Sequence, residues 1–196
     1  MIRRIGVIVQ DANSLGFLKG LQQRLGCEAQ LVTPTVAVGR SSIMTRRQAL
    51  LAWTQFRRLG VDLIVRFTDA DARRWQDVQR HELDLFPADA RSILVCGVAD
   101  TNTEQWLGLH TPYVARRLGV EEAELRDPRH RTERIKGAIT AAVAPDSDKS
   151  DVVASLVKEA PADVFRQWLT DAALRTFVDD CRAAALRADC PVPAPE

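Results

Sequence analysis

The chain has 196 residues, of which 46% are hydrophobic and 27% charged, and its formal net charge is +1. These proportions are typical of a folded globular protein and exclude a disordered chain, a collagen-like repeat and a disulfide scaffold. The length suits one domain, or one domain with a helical appendage. The longest apolar runs, such as residues 5–9, are far shorter than the roughly 20 residues of a membrane helix, so we expect no membrane partner.

The beginning of the sequence and its cysteines both indicate a cytoplasmic protein. The first residues lead straight into an apolar run, without the h-region and cleavage site of a secretory signal. The cysteines form no C-x-x-C pair, and a reducing cytosol keeps them as thiols. We expect all four, Cys27, Cys96, Cys181 and Cys190, to be packing residues.

The small net charge conceals an asymmetry along the chain. Residues 1–140 carry 21 Lys and Arg against 16 Asp and Glu, whereas residues 141–196 carry 6 against 10. Arginine supplies 23 of the 27 cations, and its planar guanidinium suits phosphate and carboxylate oxygens. The codon bias of a GC-rich genome would give the same excess, so both explanations stay open.

Hydrophobic periodicity predicts four strands that alternate with helices. We expect the strands at residues 4–10, 29–38, 61–67 and 91–98, the second one interrupted or edged by Pro34. Apolar residues at helical spacing predict a helix after each of the first three strands, the first ending at Gly26 and the second at Gly60. The expected fold class is therefore α/β, with a four-stranded, mainly parallel sheet flanked by helices.

The strand signal ends near residue 100, and helical patterns continue to about residue 186. Residues 145–148 are the best linker, with Ser147 or Asp148 able to cap the helix that follows. The predicted organisation is an α/β domain over residues 1–145, a helical extension over 146–190 packed on it, and a disordered tail over 191–196.

Polar side chains follow three of the four predicted strands. In open parallel sheets, ligands bind beyond the carboxyl ends of the strands. The residues found there are Gln10, Asp11, Asn13, Asp69, Asp71, Asp100 and Glu104. Carboxylates brought together repel one another unless a hard divalent cation joins them. The sequence therefore predicts a Mg²⁺ or Mn²⁺ site for phosphodiester chemistry, with the candidate ligands Asp69, Asp71, Asp100 and Glu104.

Each of these acids also fits a purely structural role. Asp69 and Asp71 suit a turn or the N-cap of the next helix, and Asp11 suits a turn. Residues 101–104 match a capping box, in which Glu104 returns to a backbone amide. The position of Asp69 and Asp71 directly after an apolar strand favours a functional role for that pair.

These residues resemble the TOPRIM domain of topoisomerases, primases, recombination proteins and OLD-type nucleases. In that domain an acidic position ends the first strand and Asp-x-Asp ends a later one, and residues 7–11 and 69–71 match these two motifs. The sequence Glu-Gln-Trp-Leu at 104–107 is similar to a signature of small stand-alone TOPRIM-like proteins from bacterial defence loci. Residues 174–178 are similar to their Phe-containing C-terminal helix, so that the resemblance spans roughly residues 4–186.

The resemblance implies a TOPRIM/Rossmann-like fold and an Mg²⁺-dependent nuclease component of a defence or mobile-element system. The catalytic positions that it implies are Gln10, Asp11, Asp69 and Asp71. DNA is the implied nucleic acid, and the candidate protein partners are an AAA- or ABC-type ATPase and a second copy of the chain.

The sequence departs from the TOPRIM pattern at Gln10, where the first motif has Glu. Glutamine cannot carry the negative charge or exchange the proton. Either Asp11 takes over the role, or the site binds metal weakly, or catalysis is lost and binding remains. The competing hypotheses are a catalytically silent binding or regulatory subunit that partners an ATPase, and an Mg²⁺-dependent enzyme acting on a phosphorylated metabolite.

No P-loop, dinucleotide-binding or serine-hydrolase motif indicates another chemistry.

Arginines are concentrated between residues 40 and 74. They are Arg40, Arg46, Arg47, Arg57, Arg58, Arg66, Arg73 and Arg74. If they share an edge with the acids, they neutralise phosphates near a metal. The candidate nucleic-acid contacts are Arg40, Arg46, Arg47, Arg73 and Arg74. A solvated helix face is the alternative.

Overall fold

The computed structural model describes residues 2–35 and 44–187. Its strands are β1 (Arg4–Ile8), β2 (Gln30–Val32), β3 (Leu63–Asp69) and β4 (Leu94–Ala99). Its helices are α1 (Ala12–Arg24), α2 (Arg46–Leu59), α3 (Trp75–Leu85), α4 (Ala88–Arg91), α5 (Thr103–Leu107), α6 (Thr111–Leu118), α7 (Arg131–Ala141), α8 (Lys149–Lys158), α9 (Ala162–Trp168) and α10 (Ala172–Arg187). Two 3₁₀ turns, Gly108–His110 and Glu122–Leu125, flank α6. Within the described residues no strand follows Ala99, as predicted.

All four strands are parallel and lie in the order β2-β1-β3-β4. This arrangement confirms the predicted α/β class, and the sheet is parallel throughout. The chain moves from β1 to one side to form β2, and then returns past β1 to form β3 and β4. The strand order therefore reverses between β1 and β3, which are neighbours in the sheet.

All four predicted strands differ from the observed ones at one end or at both. The first strand ends at Ile8 and not at residue 10. The second strand is described only at Gln30–Val32, because Pro34 lacks the N–H that would continue the ladder; its predicted final part, 36–38, lies outside the described residues. The third strand runs on to Asp69, which pairs with Ala99 in β4. The fourth begins late, because residues 88–91 form a helical turn.

Side chains alternate between the two faces of the sheet, as the pleat requires. Val7, Val65 and Phe67 lie in a large core with α1 and the later helices. Ile8 and Ile64 lie in a second core with α2 and α4. Because both faces are covered, β3 is buried along its whole length.

The helices after residue 145 share the core of the sheet domain. Leu156, Trp168 and Phe177 belong to the same buried cluster as Val7 of β1, and the Phe177 ring packs against the Phe67 ring of β3 with centroids 5.3 Å apart. Asp148 caps α8, as one of the two residues predicted to do so. The predicted tail, 191–196, and Cys190 lie outside the described residues.

Candidate functional site

The reversal of strand order places the ends of β1 and β3 side by side. Crevices for ligands form at such reversals, because the chain leaves the two neighbouring strands in opposite directions. Gln10 and Asp11 follow β1, and Asp69 is the last residue of β3. The predicted catalytic positions from the first and second motifs therefore meet at this edge of the sheet.

Asp69 is the central carboxylate of this edge and only 8% of it is exposed. Its backbone N–H donates to Oε1 of Gln10 at 3.2 Å, and the Thr103 hydroxyl donates to its Oδ1 at 3.4 Å. Burial raises the pKa of Asp69 to about 7, and the negative charges of Glu104, Asp11 and Asp71 act in the same direction. The folded chain therefore favours the protonated form of this carboxyl group more than an exposed aspartate would.

Glu104 is the second buried carboxylate of the edge, and burial raises its pKa. The Asn13 amide donates to its Oε1 at 2.6 Å, and this bond and its own backbone N–H oppose the rise in pKa. The N-cap of α5 is Asn102, which accepts from the Gln105 N–H. The capping-box alternative needs Thr101 at that place and does not apply.

Asn13 also carries an unsatisfied oxygen. Its Oδ1 is buried and has no hydrogen-bond partner among the described residues, whereas its Nδ2 is bonded to Glu104. A buried carbonyl oxygen without a donor is costly. It lies where a cation or an ordered water would satisfy it.

The three remaining acids of the edge are exposed. Asp11 is the N-cap of α1 and accepts from the Ser14 N–H at 2.8 Å, so it has the structural role that the sequence left open. Asp71 does not cap α3, whose N-cap is Arg74. Among the residues that the structure describes, no side-chain hydrogen bond or ion pair joins Asp100 to the other acids. In residues 2–35 and 44–187 no group of three or more His, Cys, Asp or Glu side chains is placed to hold a metal ion.

The backbone is strained at both turns of the edge. Asp71 has φ 53° and Thr101 has φ 71°, a region that a β-branched residue rarely adopts. The Asp71 N–H donates to the Thr101 carbonyl at 3.2 Å, which joins the two turns. Such strain persists where the surroundings hold it in place, and it is concentrated at functional sites.

Lys136 of α7 brings a positive charge to the two buried carboxylates. The negative charges of Glu104 and Asp69 raise its pKa, and its own charge opposes the rise in theirs. Sequence reasoning missed this residue, because α7 is remote in the chain from β3 and α5. The one feature of the sequence that sets Lys136 apart is the rarity of lysine, since the chain has 4 lysines and 23 arginines.

The predicted phosphate contacts lie at the beginnings of two helices. Arg46 and Arg47 start α2, and Arg73 and Arg74 precede α3; all four are exposed. A helix that follows a parallel strand starts at the strand's carboxyl end, which is the edge that carries Asp69. Arg40 lies outside the described residues.

Arg66 belongs to the arginine-rich stretch of residues 40–74 but is not a surface cation. It is 1% exposed, its Nε donates to Glu82 at 2.7 Å, and its Nη1 donates to the Phe67 carbonyl at 3.1 Å. An arginine inside a strand that is buried on both faces needs an internal partner. It is therefore structural and cannot contact nucleic acid.

Comparison with known proteins adds no relative. No protein-family model matches the chain, no curated protein matches it, and no solved structure matches it. No helix in the described part of the chain is long and apolar enough to span a bilayer.

Proposed function

We propose that the edge formed by β1, β3 and β4 binds a divalent cation, Mg²⁺ or Mn²⁺, and hydrolyses phosphodiester bonds in nucleic acid. The observation that carries this proposal is geometric: two buried carboxylates, Asp69 and Glu104, meet at this end of the sheet beside Oδ1 of Asn13, which has no partner among the described residues. The raised pKa of Asp69, about 7, has burial and the neighbouring carboxylates as its causes and supports the same proposal. Uncompensated acidic charge of this kind is relieved when a hard cation binds.

The donor atoms of the edge are chemically suited to such a cation. Asp69 and Glu104 offer carboxylate oxygens, and Asn13 offers the amide oxygen that lacks a partner. Mg²⁺ is usually held by one or two carboxylates, with waters and phosphate oxygens filling its other positions. Three protein carboxylates are therefore not required to hold the cation. The exposed Asp71 carboxylate can reach the same cation from the solvent side.

A divalent cation held by Asp69 and Glu104 would polarise the phosphate and make its bound water more acidic. The proton of the attacking water would pass to solvent, because Asp69 is itself a ligand of the cation and the bound cation lowers the pKa of this carboxyl group. Lys136 offsets the acidic charge of Asp69 and Glu104, and the guanidinium groups of Arg73 and Arg74 hold the phosphates of the flanking nucleotides.

A catalytically silent binding subunit is the second candidate, and Gln10 is the observation that favours it. Its Oε1 already accepts from Asp69 and Thr68, so it acts as a tether between β1 and β3. A site of this kind would bind metal or nucleic acid without hydrolysing it. The catalytic activity would then belong to a partner protein such as an ATPase.

The decisive experiment combines calorimetry with a cleavage assay. Mn²⁺ and Mg²⁺ are titrated into wild type, Asp69→Asn, Glu104→Gln and the matched control Asp100→Asn, whose carboxylate is exposed. We expect about tenfold or greater loss of metal affinity in the first two variants and none in the control. Equal metal uptake by wild type and the Asp69→Asn/Glu104→Gln double variant contradicts the proposal.

Cleavage of labelled single- and double-stranded DNA and RNA is measured with the same proteins. Products that depend on Mn²⁺ or Mg²⁺ and on Asp69 support the nuclease. Metal-dependent binding without products supports the silent subunit.

The arginine contacts are tested by fluorescence anisotropy with DNA over a range of salt concentrations. Because each phosphate contact releases a counterion, Arg73→Ala/Arg74→Ala should reduce the slope of log K against log salt by roughly 2. Arg126→Ala/Arg129→Ala removes the same charge from an exposed loop and is the control. The same slope in both double variants would exclude Arg73 and Arg74 as the contact.

A further inference from the structure

A cavity lies on the α1 and α10 side of the sheet, at the opposite end from the acidic edge. Ile2 precedes β1 and Leu63 begins β3, and both line it, whereas Asp69 ends β3. The other walls come from the end of α1 and from α10, and its volume is about 70 Å³. The lining is almost entirely aliphatic, aromatic or thiol.

One polar group of this cavity has no partner. Arg182 of α10 lines the cavity, and its Nε is buried without a hydrogen bond to any described residue. Its Nη1 lies 3.7 Å from the exposed Asp179 carboxylate, and its side chain is 22% exposed. The amide of Gln22, which also lines the cavity, donates to the Ala29 carbonyl. Arg182 therefore lines the cavity with an ion pair on its exposed side and a buried Nε that no described residue satisfies.

We propose that this cavity binds the alkyl chain of a small monocarboxylate, whose carboxylate pairs with Arg182. Apolar cavities stay dry and take up apolar molecules that fit them. The volume is about half of the roughly 150 Å³ that holds a benzene ring in an engineered cavity, so a short flexible chain fits and a ring does not. Guanidinium–carboxylate pairing selects the head group, because it satisfies the buried Nε with a charge-assisted bond.

The site is separate from the proposed metal edge and does not depend on it. A carboxylate at Arg182 stays partly in water, which lowers the cost of binding a charged group. The alkyl chain meanwhile replaces empty space against Leu21, Val65 and Phe177. The class of ligand that satisfies both features is a short-chain free fatty acid.

Hexanoate, hexanol and hexylamine are the probes, measured by calorimetry with the full chain. We expect hexanoate to bind more tightly than hexanol and hexylamine not to bind. Arg182→Gln should lower the affinity for hexanoate by about tenfold, which is the usual effect of losing a hydrogen bond to a charged group. The affinity for hexanol should not change. Equal affinity for hexanoate and hexanol, or hexanoate affinity unchanged in Arg182→Gln, overturns the assignment of the head group and with it the proposal.

The location is tested by filling the cavity. Ala185→Leu adds volume at the cavity wall, whereas Ala183→Leu makes the same change on the exposed side of α10. Hexanoate binding should disappear in the first variant and persist in the second. Cys181→Met is a second filling variant should Ala185→Leu fail to fold, as checked by circular dichroism. Hexanoate binding that survives in a folded filling variant, or no binding to wild type, rejects the site.

Discussion

Oε1 of Gln10 accepts hydrogen bonds from the backbone N–H of Asp69 at 3.2 Å and from the Thr68 hydroxyl at 3.3 Å. This contact ties the loop after β1 to the end of β3, at the point where the strand order reverses. A glutamate could accept the same two bonds. Glutamine therefore preserves the geometry of the edge while placing one negative charge fewer beside Asp69.

Replacing Gln10 by Glu should increase the affinity for metal and lower the stability of the metal-free protein. The added carboxylate lies beside Asp69 and raises its pKa further, and we expect a loss of about 1–2 kcal/mol in the free energy of unfolding above neutral pH. Excess Mn²⁺ should restore that stability. Gln105→Glu adds the same charge on the exposed side of α5 and is the control. The measurements are urea denaturation in EDTA and in Mn²⁺; a Gln10→Glu variant with unchanged stability and unchanged Mn²⁺ affinity would contradict this prediction.

The stability of the metal-free protein should fall as the pH rises. The pKa of Asp69 is about 7 in the folded chain and 3.8 when unperturbed, so the folded state binds the proton more tightly than the unfolded state. Stability from this group is present below about pH 4 and is lost progressively as the pH rises towards 7, by up to roughly 4 kcal/mol.

Asp69→Asn tests this pH dependence. An amide cannot ionise, so the slope of stability against pH should become shallower and the variant should be more stable than wild type at about pH 8 in EDTA. Asp100→Asn, at an exposed position, should keep the wild-type slope. Urea denaturation across this pH range is the measurement, and equal slopes in wild type and Asp69→Asn would contradict the prediction.

The sheet was predictable because its signal is local. Each of the strands β1, β3 and β4 is a nearly continuous apolar run, and such runs are typical of parallel strands covered on both faces. The end of β3 was not predictable, since it depends on the pairing of Asp69 with Ala99 of β4. Pairing between strands is a long-range property that a single run of residues does not contain.

The acidic edge was predictable in part for the same reason. Asp69 and Glu104 follow or lie near strand ends, so topology alone brings them to one edge. The positive charge of Lys136 comes from α7, and no local pattern links that helix to β3. The arginine count over residues 40–74 includes Arg66, because composition does not separate a buried arginine from an exposed one. The position of Arg66 inside an apolar strand indicates its burial.

The ion pair between Arg66 and Glu82 should be essential for stability and irrelevant to binding. Both side chains are buried, at 1% and 2% exposure, and Nε lies 2.7 Å from Oε2. Glu82→Gln leaves the Arg66 charge without its counterion, and we expect a loss of about 3–5 kcal/mol in the free energy of unfolding.

Arg66→Met/Glu82→Leu removes both charges and should recover most of that loss. Exposed Asp84→Asn on the same helix should cost less than about 1 kcal/mol. Chemical denaturation measures all three variants. A Glu82→Gln variant as stable as Asp84→Asn would show that the pair contributes nothing.

Helix α1 packs closely along α8, which joins the C-terminal helices to the sheet domain. A Cβ atom on Gly16 would lie 2.4 Å from the Ser150 carbonyl oxygen, and one on Gly20 would lie 2.6 Å from the Ala154 carbonyl oxygen. Both clashes are with backbone, which cannot move away as a side chain can. The two glycines, four residues apart on one face of α1, let the two helices approach this closely.

Gly20→Ala should therefore destabilise the protein although alanine favours helices. The helix preference alone would stabilise it by roughly 1 kcal/mol, but the Cβ forces α1 away from α8, and overpacking of this kind costs about 1–3 kcal/mol or more. Gly137→Ala in α7 is the matched control, because nothing lies within 4 Å of its added Cβ. That variant should gain about 0.5–1 kcal/mol. The midpoints of thermal and urea denaturation should thus shift in opposite directions for the two substitutions. If Gly20→Ala stabilised the protein as much as Gly137→Ala, α1 and α8 would not pack through this face.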